Sequence, residues 1–125
     1  AVVSHDTAAA VHELGDLLPA RVHLTVGRGF RKRTPPALVV HRAELAADDV
    51  QGYGGFRVTT PLRTILDLLR AGTESDRLTT VVREALDRGA VRRGALERVF
   101  QRLPEPDRAK GLRVLARAME RLRAV

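Results

Sequence analysis

Cysteine and tryptophan are absent from this 125-residue chain, and only two of its 22 basic residues, Lys32 and Lys110, are lysine. Without Cys there are no disulfides, no thiolate metal sites and no Cys nucleophile, a composition that suits a cytoplasmic protein. Long hydrophobic runs are also missing. No segment approaches the roughly 18 uninterrupted apolar residues that a membrane span needs, and no signal-peptide pattern opens the chain, so no membrane role is expected. Carboxylates are sparse where a nuclease would need them: there is no D-x-E/D-x-K pattern, and Asp48 and Asp49 read best as residues that start a short turn. Metal-dependent catalysis is therefore not expected, and no cofactor motif appears.

Hydrophobic residues make up 44% of the sequence, enough for a real core, and the chain reads as one domain over residues 1–125. The formal charge is +7, and its placement carries more information than its size. Residues 28–42 hold five basic and no acidic residues, and residues 91–125 hold ten basic and four acidic ones. The segments 1–27, 43–60 and 61–90 sum to -2, -2 and 0. Such clustering favours a polyanion or an acidic protein surface as partner. The Arg excess by itself is weaker evidence, since abundant Ala and Arg together reflect a GC-rich genome.

The period of the apolar residues organises the chain. Ser4 is placed to cap a helix from about 5 to 15 that Gly15 ends. Val22, Leu24 and Val26 alternate with polar residues, as in a half-buried strand, and residues 37–42 make a second strand after Pro35-Pro36. A turn of helix over 46–50 and a flexible Gly52-Tyr53-Gly54-Gly55 connection lead to a third strand, Phe56 to Thr59. Thr60-Pro61 then opens a helix in which Leu62, Ile65, Leu66 and Leu69 form a stripe that Leu68 widens: Thr caps the first turn, and Pro occupies a position where a missing N–H costs nothing. Helices follow at about 75–88, 94–103 and 106–123, punctuated by Gly72, Gly89 and Pro104. In the last of them Leu112, Leu115, Ala116, Met119 and Leu122 form the apolar stripe. The fold class expected is α+β: a small antiparallel sheet preceded by one helix and packed against a C-terminal helical bundle.

Two basic patches are the binding candidates. In the loop Gly27-Arg28-Gly29-Phe30-Arg31-Lys32-Arg33, two Gly residues permit close backbone approach, four cations fall within six residues, and Phe30 can stack on a base or enter a partner surface. Arg42 extends this patch. The alternative is a solvated hairpin with Phe30 folded back on the core. Arg113, Arg117 and Arg121 recur four apart on the last helix, where like charges cost a few tenths of a kcal/mol per pair, about what an anionic partner relieves. These arginines either splay into water, meet acidic residues elsewhere or bind such a partner. The four histidines, His5, His12, His23 and His41, lack any HxH or HExxH spacing and read as capping, packing and strand-surface residues, His23 and His41 on neighbouring strands. Ser4, His5 and Asp6 adjoin in sequence and do not make a catalytic triad.

Several segments resemble elements of the AbiEi family, the antitoxins of type IV bacterial toxin–antitoxin systems and their transcription-regulator-like relatives. Val58 to Leu69 is similar to its "VTTPxRTxLDL" element, and Ser4-His5-Asp6-Thr7-Ala8 to its "SHxTAxxxHGL" opening, with Glu13 in place of the usual Gly. Val22-His23-Leu24-Thr25-Val26 with the following basic loop resembles "VHLTVPRxxRRR", with Gly27 replacing Pro, and Val40-His41-Arg42-Ala43-Glu44-Leu45 resembles "VHRAxLxxxDV". The ordered set spans roughly residues 1–90. The resemblance implies a non-enzymatic regulator that represses its operon through a winged helix-turn-helix and neutralises a toxin protein of nucleotidyltransferase type through the remaining domain. Because the chain begins at Ala1 and its only Met is Met119, it is expected to be the part that lacks the winged helix. DNA, through phosphate contacts, and the toxin are the partners implied. The alternative is a scaffold domain whose PD-(D/E)XK-like nuclease lies beyond Val125.

Overall fold

The computed structural model describes residues 1–16 and 18–123, with side chains through residue 120. The chain forms two compact units, Ala1–Thr64 and Ile65–Val125. The first unit is built on strands β1 (Val2–Val3), β2 (Val22–Val26), β3 (Leu38–Arg42), β4 (Val50–Tyr53) and β5 (Phe56–Thr59). They make one sheet in the order β3-β2-β1-β5-β4. The α+β class is as the sequence indicates, but the sheet is mixed. β1 lies antiparallel to β2 and parallel to β5, β2 and β3 are parallel, and β4 and β5 are antiparallel. Alternation reveals a strand without revealing its direction. The 11 residues from 27 to 37 are long enough to run back beside β2, so the basic loop is a return connection and not a hairpin. The true hairpin is β4–β5, with Tyr53 opposite Phe56 across Gly54-Gly55.

Helix α1 (His5–Val11) packs against β2 and β5. It ends four residues before Gly15, because Glu13 adopts a left-handed backbone, φ +57, and Leu14 donates its N–H to Ala9 O. The expected Ser4 side-chain cap does not form. The Ser4 hydroxyl is fully buried and turns to His5 and Thr25 instead. A short 3-10 turn over Ala47–Asp49 leads into β4, with the Asp49 carboxylate accepting from the Ala46 N–H and pairing with Arg63 at 3.3 Å. That pair gives Asp49 a structural role at the turn.

Helix α2 (Pro61–Arg70) begins as its sequence indicates: the Thr60 hydroxyl accepts from the Arg63 N–H. Ile65, Leu68 and Leu69 are buried, whereas Leu62 and Leu66 stay partly exposed, so the buried face is the Leu68 side of the broad stripe read in sequence. In the second unit, α3 (Ser75–Asp87) and α4 (Arg93–Gln101) both pack on α5 (Asp107–Arg123). The Glu74 carboxylate caps α3 through the N–H groups of Asp76 and Arg77. Its other end closes on Gly89 at φ +73, with Ala90 N–H bonding back to Ala85 O, the cap for which a left-handed Gly is suited. Val81, Val82, Leu96, Phe100, Val114 and Ala118 lie at the core of this unit. On α5 the buried face is Gly111, Val114, Leu115 and Ala118, while Leu112, Ala116 and Met119 line a surface groove with Arg93 and Glu97. The groove shifts the stripe read in sequence by about one residue. Leu122 lies outside the described side chains. No helix among the described residues is long and apolar enough to cross a membrane.

Candidate functional site

The basic loop leaves β2 at Gly27 and is exposed from Gly27 to Gly29 and again from Arg31 to Ala37. Its foot is fastened by its own arginines. Phe30 N–H donates to Gly27 O, closing a turn, and the Arg31 guanidinium donates to the carbonyls of Arg28 (2.7 Å) and Phe30 (3.0 Å). Arg42, at the end of β3, donates its Nε–H to the same Phe30 carbonyl at 3.1 Å. The Arg28 N–H is bound by the Glu44 carboxylate at 3.2 Å. Two of the five candidate cations, Arg31 and Arg42, thus shape the loop. Among the described residues no carboxylate pairs with the side chains of Arg28, Lys32 or Arg33. Phe30 is half-buried and lines a cleft of about 570 Å³ together with Thr25, Val26, Glu44, Gln51 and Arg57. The loop therefore presents three unpaired cations beside a cleft with one aromatic wall.

The second candidate patch is not a continuous row of free charge. Arg117 is bound to Asp76 of α3 at 2.8 Å, while Arg113 is exposed on the same helix. The side chain of Arg121 lies outside the described residues. Arg117 thus meets a carboxylate of the neighbouring helix α3.

His23 and His41 are neighbours on paired strands, as the sequence indicates, and His5 joins them, which the sequence does not indicate. His23 and His41 lie on one face of the parallel pair β2–β3, two positions apart in register, and their Nδ1 and Nε2 atoms are 3.0 Å apart. His5, from the first turn of α1, lies flat on His41 with ring centroids 3.5 Å apart and planes within 12°. Its Nδ1 is 2.8 Å from Ser4 Oγ, which also accepts from the Thr25 hydroxyl at 2.8 Å. Asp6 Oδ2 stands 3.9 Å from His23 Nε2. Burial, then His41 and His23, and then Arg63 push the His5 imidazole down to about 3. His41 is lowered by burial and by His23, with Asp6 acting the other way. The fourth histidine, His12, bonds the carbonyl of Thr59 at 2.8 Å through Nε2. The rings stack and do not converge on a point, and among the described residues no group of His, Asp or Glu is arranged to hold a metal. A signal was present in the sequence: the "SHxTA", "VHLTV" and "VHRA" segments carry one of these histidines each. What it lacked was the packing of α1 on β2 that lays His5 on His41.

No curated protein matches the chain at a significant level. Residues 2–119 match the family model of the AbiEi antitoxin C-terminal domain, in agreement with the order of motifs from the Ser4-His5 opening to the Thr60-Pro61 helix. The chain belongs to the AbiEi antitoxin C-terminal domain family, and its role is that of a regulatory component of a toxin–antitoxin system.

Proposed function

We propose that this module neutralises a toxin protein of nucleotidyltransferase type by binding it through the basic loop and the adjoining cleft, and that it performs no chemistry itself. The loop's geometry carries the reading. Arg28, Lys32 and Arg33 are held out from a foot tied by five hydrogen bonds from Arg31, Arg42 and the Arg28 and Phe30 N–H groups, so part of the ordering cost is met before a partner arrives. Phe30, on the wall of a cleft of mixed lining, offers an apolar anchor beside those charges, a combination suited to an acidic protein surface. Co-expression tests it: the wild-type module should relieve growth arrest by its proposed cognate toxin of nucleotidyltransferase type, and Arg28→Ala/Lys32→Ala/Arg33→Ala should not, at equal protein level. Full relief by the triple variant would remove the loop from toxin binding.

DNA is the second reading, favoured by the absence of acidic residues from 28 to 42. Phosphate contacts from the loop would help anchor a regulator whose sequence reading lies elsewhere. In that case the triple variant weakens binding alike for all duplex sequences and flattens its salt dependence. An unchanged salt slope would exclude the loop from DNA.

A further inference from the structure

We propose that His5, His23 and His41 form a proton-sensitive latch that fastens α1 to β2 and β3, closed while the stack holds at most one proton and released when a second enters. The contact between His23 Nδ1 and His41 Nε2 needs one of the two nitrogens bare. The tautomers that satisfy both neighbours put N–H on His23 Nε2, facing Asp6, and on His41 Nε2, donating to His23 Nδ1. Two protons on this pair would set N–H against N–H. The face-to-face stack of His5 on His41, at 3.5 Å, would likewise place two cations in contact. His5 and His23 are 6.1 Å apart, also stacked, so a charge on one is felt by the other.

The surrounding charges are few. Asp6 of α1, 3.9 Å from His23 Nε2, favours a proton at His41; Arg63 of α2 opposes one at His5, and Arg63 is itself held by Asp49. The backbone adds its own sign of a loaded contact: His5 sits at φ +52, a left-handed conformation that a non-Gly residue keeps only where its surroundings impose it. Those surroundings are the stack, the Ser4 hydroxyl and the bond from His23 N–H to Thr7 Oγ1.

The direction of the response follows from linkage. His5 is held at about 3 in the closed form against 6.5 when released, so the open form binds the proton more tightly. Closure is complete above about pH 6.5, and each pH unit below that favours opening by about ten-fold until the closed-form value is approached. The latch lies on the two strands that the basic loop joins, which places a pH response at the foot of the partner-binding loop.

Hydrogen exchange on the whole chain, corrected for intrinsic rates, tests this between pH 7.5 and 5. Protection of the α1 amides should fall by about thirty-fold at pH 5, while β5 and α3 keep theirs. His5→Asn/His41→Gln, in which Asn tolerates the left-handed backbone and Gln keeps a donor toward His23, should make α1 protection independent of pH. In the wild type, the His5 ring resonances should not titrate between pH 7.5 and 5. Unchanged α1 protection, equal loss in β5, the wild-type slope in the double variant, or a His5 titration near 6.5 would each overturn the latch.

Discussion

Glu13 holds a left-handed backbone, φ +57, at the position where the family's opening motif carries Gly. For an L-residue with a Cβ this conformation costs about 1–2 kcal/mol, part of which Gly recovers and part of which it returns as unfolded-state entropy. Glu13→Gly is therefore expected to raise stability by about 0.5–1 kcal/mol in urea unfolding, and a loss would show that the exposed Glu13 side chain makes a compensating contact. Residues of α2 give a second ordering. Leu68, fully buried, should cost about 2–5 kcal/mol on truncation to Ala, against about 1–2 kcal/mol for the half-exposed Leu66 and about 1 kcal/mol for loss of the Thr60 cap. If Leu66→Ala is the most damaging of the three, the buried face of α2 has been assigned wrongly. At this scale the caps were legible from sequence, because Thr60 and Gly89 act on backbone groups within a few residues. Ser4 was not: a buried hydroxyl chooses among all polar neighbours, and His5 and Thr25 compete with the helix N–H groups.

The bounds of α2 to α5 are legible in the sequence, since 3.6-residue periodicity and Pro or Gly punctuation are local signals; the end of α1 is not, because it is set by the left-handed Glu13. Strand order and direction are not legible either. β1, two residues long and set between β2 and β5, is too short to show alternation, and the parallel pairing of β2 with β3 depends on where the loop returns. The crossing of α4 and α5 is another relation that periodicity does not supply. Gly111 faces the ring of buried Phe100 so closely that a Cβ there would stand 2.8 Å from Phe100 Cγ. On propensity alone, Gly→Ala inside a helix gains up to about 1 kcal/mol. Overpacking of about 1–3 kcal/mol should outweigh it here, so Gly111→Ala destabilises the protein and does so less in a Phe100→Leu background. Thermal unfolding of the four variants reads the coupling, and stabilisation by Gly111→Ala in the wild-type background would contradict the close approach.

Across the whole molecule, the clustered positive charge divides into parts with different fates. The C-terminal cluster is partly neutralised within its own unit: Arg117 reaches Asp76 and Arg108 reaches Glu105. Both pairs are exposed, so Arg117→Ala should change stability by less than about 1 kcal/mol and leave partner affinity within about two-fold. The loop cluster was legible in the sequence as charge, but the division of labour within it was not. Arg31 and Arg42 turn to backbone carbonyls, and only Arg28, Lys32 and Arg33 remain outward. That division makes the most direct test a calorimetric titration of the purified module with its proposed partner, a toxin of nucleotidyltransferase type. Arg28→Ala/Lys32→Ala/Arg33→Ala should weaken binding at least about ten-fold, a loss of about 1.4 kcal/mol, with an unfolding midpoint equal to that of the wild type. Wild-type affinity in the triple variant would contradict the assignment of the loop as the toxin-binding surface.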